Sequence, residues 1–256
     1  KPRYYVPGKK YPAMLRPHGG PVWAYYAEFP HMAQLFAANG YVVLYPNPRG
    51  STGRGQEYAK AIDADWGNKD FQDDMAMVDY AIAQGLVDPD KLGVGGWSYG
   101  GISTDFIITQ TTRFKAAISG AGAALFASLY GHDRYIRDYE LELGYPWKDR
   151  AVWDRVSPFY KIENVTTPTL FMGGDIEWNV PTLGGERSDE ARKARGRAHE
   201  PRAQPRPRKG ARVQVVEPLQ PPKRSLPASR RLASPLAGGR ARLGGRLPPD
   251  TSQGEN

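Results

Sequence analysis

Every Trp, Tyr and Phe in the chain lies within residues 1–185, and this boundary constrains the fold more than any other feature. A core needs large apolar side chains to offset the ordering entropy of the backbone. Residues 1–185 have them, with 18 Lys and Arg against 20 Asp and Glu, a net charge of −2. Residues 186–256 have no aromatic side chain, 17 Lys and Arg against 7 Asp and Glu (a net of +10), and ten prolines. The formal charge of +8 therefore belongs to the tail. A tail of that composition is expected to be disordered. The division implied is a folded domain over 1–185 and a basic Pro/Arg-rich tail over 186–256.

A pI near 9.5 ordinarily points to nucleic acid or an anionic membrane as partner. Here the tail offers no aromatics for bases to stack on, no zinc-finger spacing and no amphipathic period. Specific nucleic-acid binding is not expected, and only non-specific phosphate attraction remains. The absence of cysteine excludes disulfides and thiolate metal sites. It fits a reducing or an oxidising compartment, with the cytoplasm favoured. No stretch approaches the roughly 18 apolar residues of a membrane span. The start, Lys1-Pro2-Arg3-Tyr4-Tyr5, has neither Met nor a signal-type apolar segment, so a piece of a longer protein is expected.

Along residues 1–185, strand-like and helix-like runs alternate. Residues 11–17 read as an edge or early strand that ends in the turn His18-Gly19-Gly20-Pro21. Residues 29–39 place Met32, Leu35 and Phe36 on one helical face, stopped by Gly40. Residues 41–45 are continuously apolar, as in a strand buried on both faces. Residues 46–55, with two prolines and three glycines, are loop. Phe71, Met75, Val78, Tyr80 and Ile82 keep helical spacing over 71–84. Asp88-Pro89-Asp90 reads as a turn before a strand over 91–96. A helix over 104–111 and strands over 114–119 and 169–172 follow. This pattern predicts an α/β class fold, a mostly parallel sheet covered by helices on both faces. Ligands then bind at the carboxyl ends of the strands.

Gly96-Trp97-Ser98-Tyr99-Gly100 matches G-x-S-x-G, and Gly101 follows it. The pattern places a serine on a sharp strand-to-helix turn, and the glycines let other backbone pack within reach. The strand before it and the helical run after it supply the required context, so Ser98 is the candidate nucleophile. Acyl transfer also needs donors for the developing oxyanion, and fixed backbone N–H groups serve that purpose. The Tyr99 amide is the natural first donor. The Gly20 amide, in a turn resembling the His-Gly-Gly turns of esterases and lipases, is the second. The His18 imidazole is expected only to hydrogen-bond its own loop.

These residues, taken in order, resemble the prolyl oligopeptidase family of serine peptidases, most nearly its bacterial dipeptidyl-aminopeptidase and acylaminoacyl-peptidase branch. The similar stretches are His18-Gly19-Gly20-Pro21, Gly40-Tyr41-Val42-Val43-Leu44, Asn47-Pro48-Arg49-Gly50-Ser51-Thr52-Gly53, Asp65-Trp66-Gly67, Gly96 to Gly101, Arg113-Phe114-Lys115-Ala116, Ser157-Pro158 and Thr167-Pro168-Thr169-Leu170. They extend over almost all of residues 1–181. The resemblance implies an α/β-hydrolase catalytic domain acting on short peptides without cofactor or metal. It also implies an N-terminal β-propeller in the full-length protein. Counting back from Val180-Pro181 as the family pattern requires lands on Glu177 as the triad acid, with Asp175 as the alternative. A Ser-His-Glu unit is chemically acceptable, since the acid orients and stabilises the imidazolium. Trp66, Arg49 and the pair Asp73 and Asp74 read as structural braces, and Tyr99 as part of the pocket wall. Adjacent on a helix, the two aspartates diverge by about 100° and make a poor metal pair.

The general base should follow the acid on this fold. Of the four histidines, His18, His31, His132 and His199, only His199 comes late enough. It sits in an Arg-rich run with no strand period or apolar anchor to position an imidazole. The tail has the length of the family's closing helix, strand and histidine loop but none of that content. An out-of-frame reading of a GC-rich gene near residues 185–187 would give such a sequence, and a natural disordered basic extension is the alternative. Three functions follow: a serine peptidase inactive as written, an esterase or lipase on the same fold, or a non-catalytic fragment that only binds.

Overall fold

The apolar runs become strands β1 (Tyr11–Leu15), β2 (Val42–Leu44), β3 (Val87–Trp97), β4 (Ala116–Gly120) and β5 (Thr169–Gly173). The computed structural model describes residues 1–174 together with the backbone of a sixth strand, β6 (Arg212–Val216). The sheet order is β2-β1-β3-β4-β5-β6. The first five strands pair in parallel, and β6 joins β5 antiparallel. Consecutive side chains on a strand point to opposite faces. Ala13, Met14 and Leu15 are all buried, so β1 is covered on both faces, as the α/β pattern predicted.

The helices are α1 (His31–Ala38), α2 (Gln56–Ala59), α3 (Lys69–Ala83), α4 (Tyr99–Gln110), α5 (Ile136–Leu143) and α6 (Arg150–Arg155). The α4 helix has no polar side. Residues 99 to 109 are all buried, leaving only Gln110 exposed. Such a helix must be central, and α4 packs against both β3 and β4. Its Ile107 and Ile108 join an aliphatic cluster with Leu15, Val42, Val78, Val87 and Val94. Its Tyr99, Ile102 and Phe106 join an aromatic cluster with Trp66, Phe126, Tyr139 and Trp153. No helix among the described residues is long and apolar enough to cross a membrane.

Three sequence expectations change. First, β1 lies between β2 and β3 rather than at an edge. Second, Asp88-Pro89-Asp90 does turn locally, Asp88 Oδ1 accepting the Asp90 N–H at 3.1 Å, but it does so inside β3. The register jumps there from Tyr11↔Val87 to Ala13↔Leu92, so the turn is absorbed as a bulge. Third, Met32, Leu35 and Tyr80 face outward at 45%, 57% and 63% exposure. Helical spacing groups side chains on a face but does not say that the face is covered. Within the basic tail, Arg212–Val216 forms β6. Its sequence Arg-Val-Gln-Val-Val alternates polar with β-branched residues, which suits a strand pairing along the side of β5 that β4 leaves free.

Candidate active site

Ser98 stands between the last residue of β3 and the first of α4, with φ 58° and ψ −124°. A non-glycine residue at positive φ costs of order 1–3 kcal/mol and persists only where its surroundings hold it. Here the hold is dense. The Ser98 N–H donates to the Gly120 carbonyl at 2.9 Å, and the Ser98 carbonyl accepts the N–H groups of Gly101 and Ile102 at 2.8 and 3.0 Å. The two glycines of the motif are required by close approach. A Cβ on Gly96 would lie 2.4 Å from the Gly100 carbonyl, and one on Gly100 would lie 2.3 Å from the Pro17 carbonyl oxygen. The motif thus joins β3, α4 and the loop after β1 without intervening side chains. Ser98 itself is half-buried.

The loop leaving β1 brings the second predicted element to the same place. A Cβ on Gly19 would come within 3.6 Å of the Ser98 Cβ and 3.2 Å of the Trp97 carbonyl oxygen. Gly20, at φ 127°, is the next residue. Tyr99 occupies the first position of α4, where a helix provides no acceptor for the N–H. No backbone carbonyl among the described residues accepts the Tyr99 or Gly20 N–H. Ser98, Tyr99 and Gly20, proposed from sequence, are therefore neighbours.

His18 is buried and clamps this loop. Its Nδ1 lies 2.7 Å from the Gly19 carbonyl oxygen and its Nε2 lies 2.8 Å from Ser51 Oγ. The Gly19 carbonyl can only accept, so Nδ1 carries the ring proton. The Ser51 hydroxyl has one proton and two acceptors within reach, Nε2 of the neutral ring and the Pro48 carbonyl at 2.6 Å. Burial lowers the His18 pKa below its ordinary value, and the bond to Gly19 opposes this in part. The expected bond to its own loop is present. The link to Ser51, 33 residues away, left no local signal in the sequence.

Of the residues read as braces, Arg49, Asp73 and Trp66 take that role. Asp73 accepts from the Arg49 backbone N–H at 2.8 Å and from its guanidinium at 2.8 and 2.9 Å. Trp66 Nε1 donates to Glu142 Oε1 at 2.6 Å. Tyr99 lines a small cavity with Pro17, His18, Pro21 and Ser51, and its buried ring extends further inward, where its hydroxyl donates to Asp70 Oδ2 at 2.9 Å. The N-terminal position on α4 sends its side chain back into the aromatic cluster. Asp70 and Asp74 are buried one turn apart on α3, and each has a buried Oδ1 with no hydrogen-bond partner. Burial raises both carboxyl pKa values. Behind the elbow, burial pushes the Asp105 carboxyl up to about 7, with a bond from Ser119 opposing. No group of three or more His, Asp or Glu side chains suited to a metal occurs among the described residues. The proposed acid Glu177, its alternative Asp175, and His199 lie outside the described residues.

A strained serine on a strand-to-helix corner of a mostly parallel sheet, faced by the loop after the neighbouring strand, defines the α/β-hydrolase class. Residues 27–206 match the prolyl oligopeptidase family, and the chain belongs to it. It is 40% identical over 191 residues to the uncharacterized peptidase YuxL of Bacillus subtilis, a match covering 73% of this chain and 29% of that protein. It is 31% identical over 196 residues to dipeptidyl-peptidase 5 of Porphyromonas gingivalis, with the same two coverages of 73% and 29%. The structure of Pyrococcus horikoshii acylaminoacyl peptidase superposes with a TM-score of 0.71 at 28% identity, covering 76% of this chain and 32% of that one. The chain thus spans 29% of the length of these two curated relatives.

Proposed function

We propose that the protein is a serine-type peptidase that hydrolyses short peptides through an acyl-enzyme on Ser98. Ser98 carries the reading: a half-buried serine at positive φ at the end of β3, with Gly19 packed toward its Cβ. Its Oγ attacks the scissile carbonyl carbon while a base takes the hydroxyl proton. The Tyr99 and Gly20 N–H groups receive the oxyanion. Collapse of the tetrahedral intermediate expels the amine, which takes that proton, and water then hydrolyses the ester. Glu177, or alternatively Asp175, orients the imidazolium. The catalytic domain corresponds to residues 1–185, and a β-propeller in the longer protein restricts access to short peptides.

The base is not assigned, because His199 has no sequence context that would hold it against Ser98. Losing the base from a Ser-His-acid unit removes most of the rate, leaving roughly 10³–10⁴ over water. The chain as written should therefore be nearly inactive on peptide amides. Replacing residues 186–256 by a family-like C-terminal reading frame should raise amide hydrolysis by several orders of magnitude and make Ser98 react with a fluorophosphonate. Ser98→Ala should abolish both. Ordinary turnover by the chain as written, lost in His199→Ala, would show that the tail supplies the base. Unchanged hydrolysis in a folded Ser98→Ala protein would show that the nucleophile lies elsewhere.

A further inference from the structure

Two exposed indoles flank Ser98. Trp97, 52% exposed, lies toward β4, since a Cβ on Gly120 would meet its ring at 2.4 Å. Trp23, 40% exposed, lies in the loop that leaves β1, the strand on the other side of β3 from β4. It adjoins the oxyanion turn directly, for a Cβ on Gly20 would be 3.2 Å from the Trp23 Cβ. Val22 and Tyr26 beside it are 63% and 62% exposed.

Mobile loops expose polar side chains, but this one is pinned and exposes rings. The Trp23 N–H donates to the Pro21 carbonyl at 2.7 Å, and its carbonyl accepts the Thr52 N–H at 3.0 Å. Between Trp23 and Tyr26, Tyr25 is held by Asn47 at both its N–H and its carbonyl, at 2.8 and 3.0 Å. The Trp23 ring meets His18 edge-on at 5.5 Å, Tyr25 at 5.3 Å and Tyr26 at 6.2 Å. The Tyr26 hydroxyl reaches Thr52 Oγ1 at 3.3 Å. Large rings already ordered lose little conformational entropy when a ligand covers them, and aromatic anchors dominate binding for that reason. The position beside the oxyanion turn specifies what covers them: a part of the substrate adjacent to the scissile bond.

We propose that Val22, Trp23 and Tyr26 form a specificity subsite for an aromatic or large aliphatic substrate side chain next to the scissile bond. The inference rests on Ser98 being the nucleophile, but its test does not require turnover. The two hydrolysis products of an N-acetyl-Phe-Phe-amide substrate, N-acetylphenylalanine and phenylalaninamide, would be titrated separately into the ¹⁵N-labelled chain. The Trp23 indole N–H resonance is the readout. One product should shift it, at least ten-fold tighter than its glycine counterpart, and which one does so assigns the subsite to the acyl or the leaving side. Trp23→Leu and Tyr26→Ala should each weaken that product several-fold and leave the glycine counterpart unchanged. Trp147→Ala, which removes another exposed indole, should change neither. Equal affinity for phenylalanine and glycine products, or unchanged binding in both variants, overturns the subsite. Fluorophosphonate labelling of the frame-restored protein reports on Ser98 separately, so either idea can fail alone.

Discussion

Two buried clusters support the elbow, and they are built from different materials. The cluster along the sheet is mostly aliphatic, with Leu15, Val42, Val78, Val94 and Ile107 filling space between parallel strands and α3. The cluster on the other side of α4 is aromatic, with Trp66, Tyr99, Phe126, Tyr139 and Trp153 meeting largely edge to face. Aliphatic side chains bring no polar atoms and need no partners. Each ring with a polar edge carries a hydrogen bond: Tyr99 to Asp70, Trp66 to Glu142, Tyr139 to Asp133 at 2.7 Å, and Trp153 to the Gly144 carbonyl at 3.3 Å. Since α4 contributes to both clusters, Ser98 is fixed by a shape-determined core on one side and a polar-anchored one on the other.

The largest effect expected is from emptying the aromatic side. Trp153→Ala removes a ring that is 1% exposed and should cost about 3–5 kcal/mol by urea unfolding. Leu15→Ala, at 1% exposure in the aliphatic cluster, should cost about 2–5 kcal/mol, its hole closing more readily where neighbours are flexible aliphatics. A loss below about 1 kcal/mol for Trp153→Ala would remove the ground for calling the aromatic cluster a core.

A second experiment concerns a buried carboxyl on α4 itself, Asp105. The Asp105 pKa is raised by burial to about 7, well above its ordinary value. As pH rises from about 4 to about 7, the unfolded chain therefore releases this proton first and stability falls. The loss is of the order of 4 kcal/mol for this group. Asp105→Asn should flatten the dependence over that window and be more stable than the parent at pH 8. Asp70 and Asp74, also raised, should leave a residual slope of the same sign. An unchanged pH profile in Asp105→Asn would place the ionisation elsewhere.

The smallest effect separates ring from handle. Tyr99→Phe keeps the shape of the aromatic cluster but removes the donor to Asp70 Oδ2, leaving that oxygen the Gly67 N–H at 3.2 Å. The expected cost is about 1–2 kcal/mol. No change in unfolding free energy would mean that aromatic packing alone sustains this side of α4.

The sequence by itself determined the parts of this protein that depend on local backbone demands. G-x-S-x-G is legible because Gly96 and Gly100 pack where no Cβ fits, and the His-Gly-Gly turn because it must come against the same corner. Strands such as β2 and β5 are legible because burial on both faces demands apolar runs, whereas β3 is legible only in its second half, where it leads into the G-x-S-x-G corner. The tertiary structure decided everything that depends on which surface a side chain meets. It turned Tyr99 inward to Asp70, joined His18 to Ser51, buried Asp105 beside Ser119, and left Trp23, Met32 and Leu35 facing outward. Periodicity records that residues share a face, but whether that face is covered depends on chain tens of residues away. That is why the serine corner and the turn packed against it could be read in advance, and their supporting contacts could not.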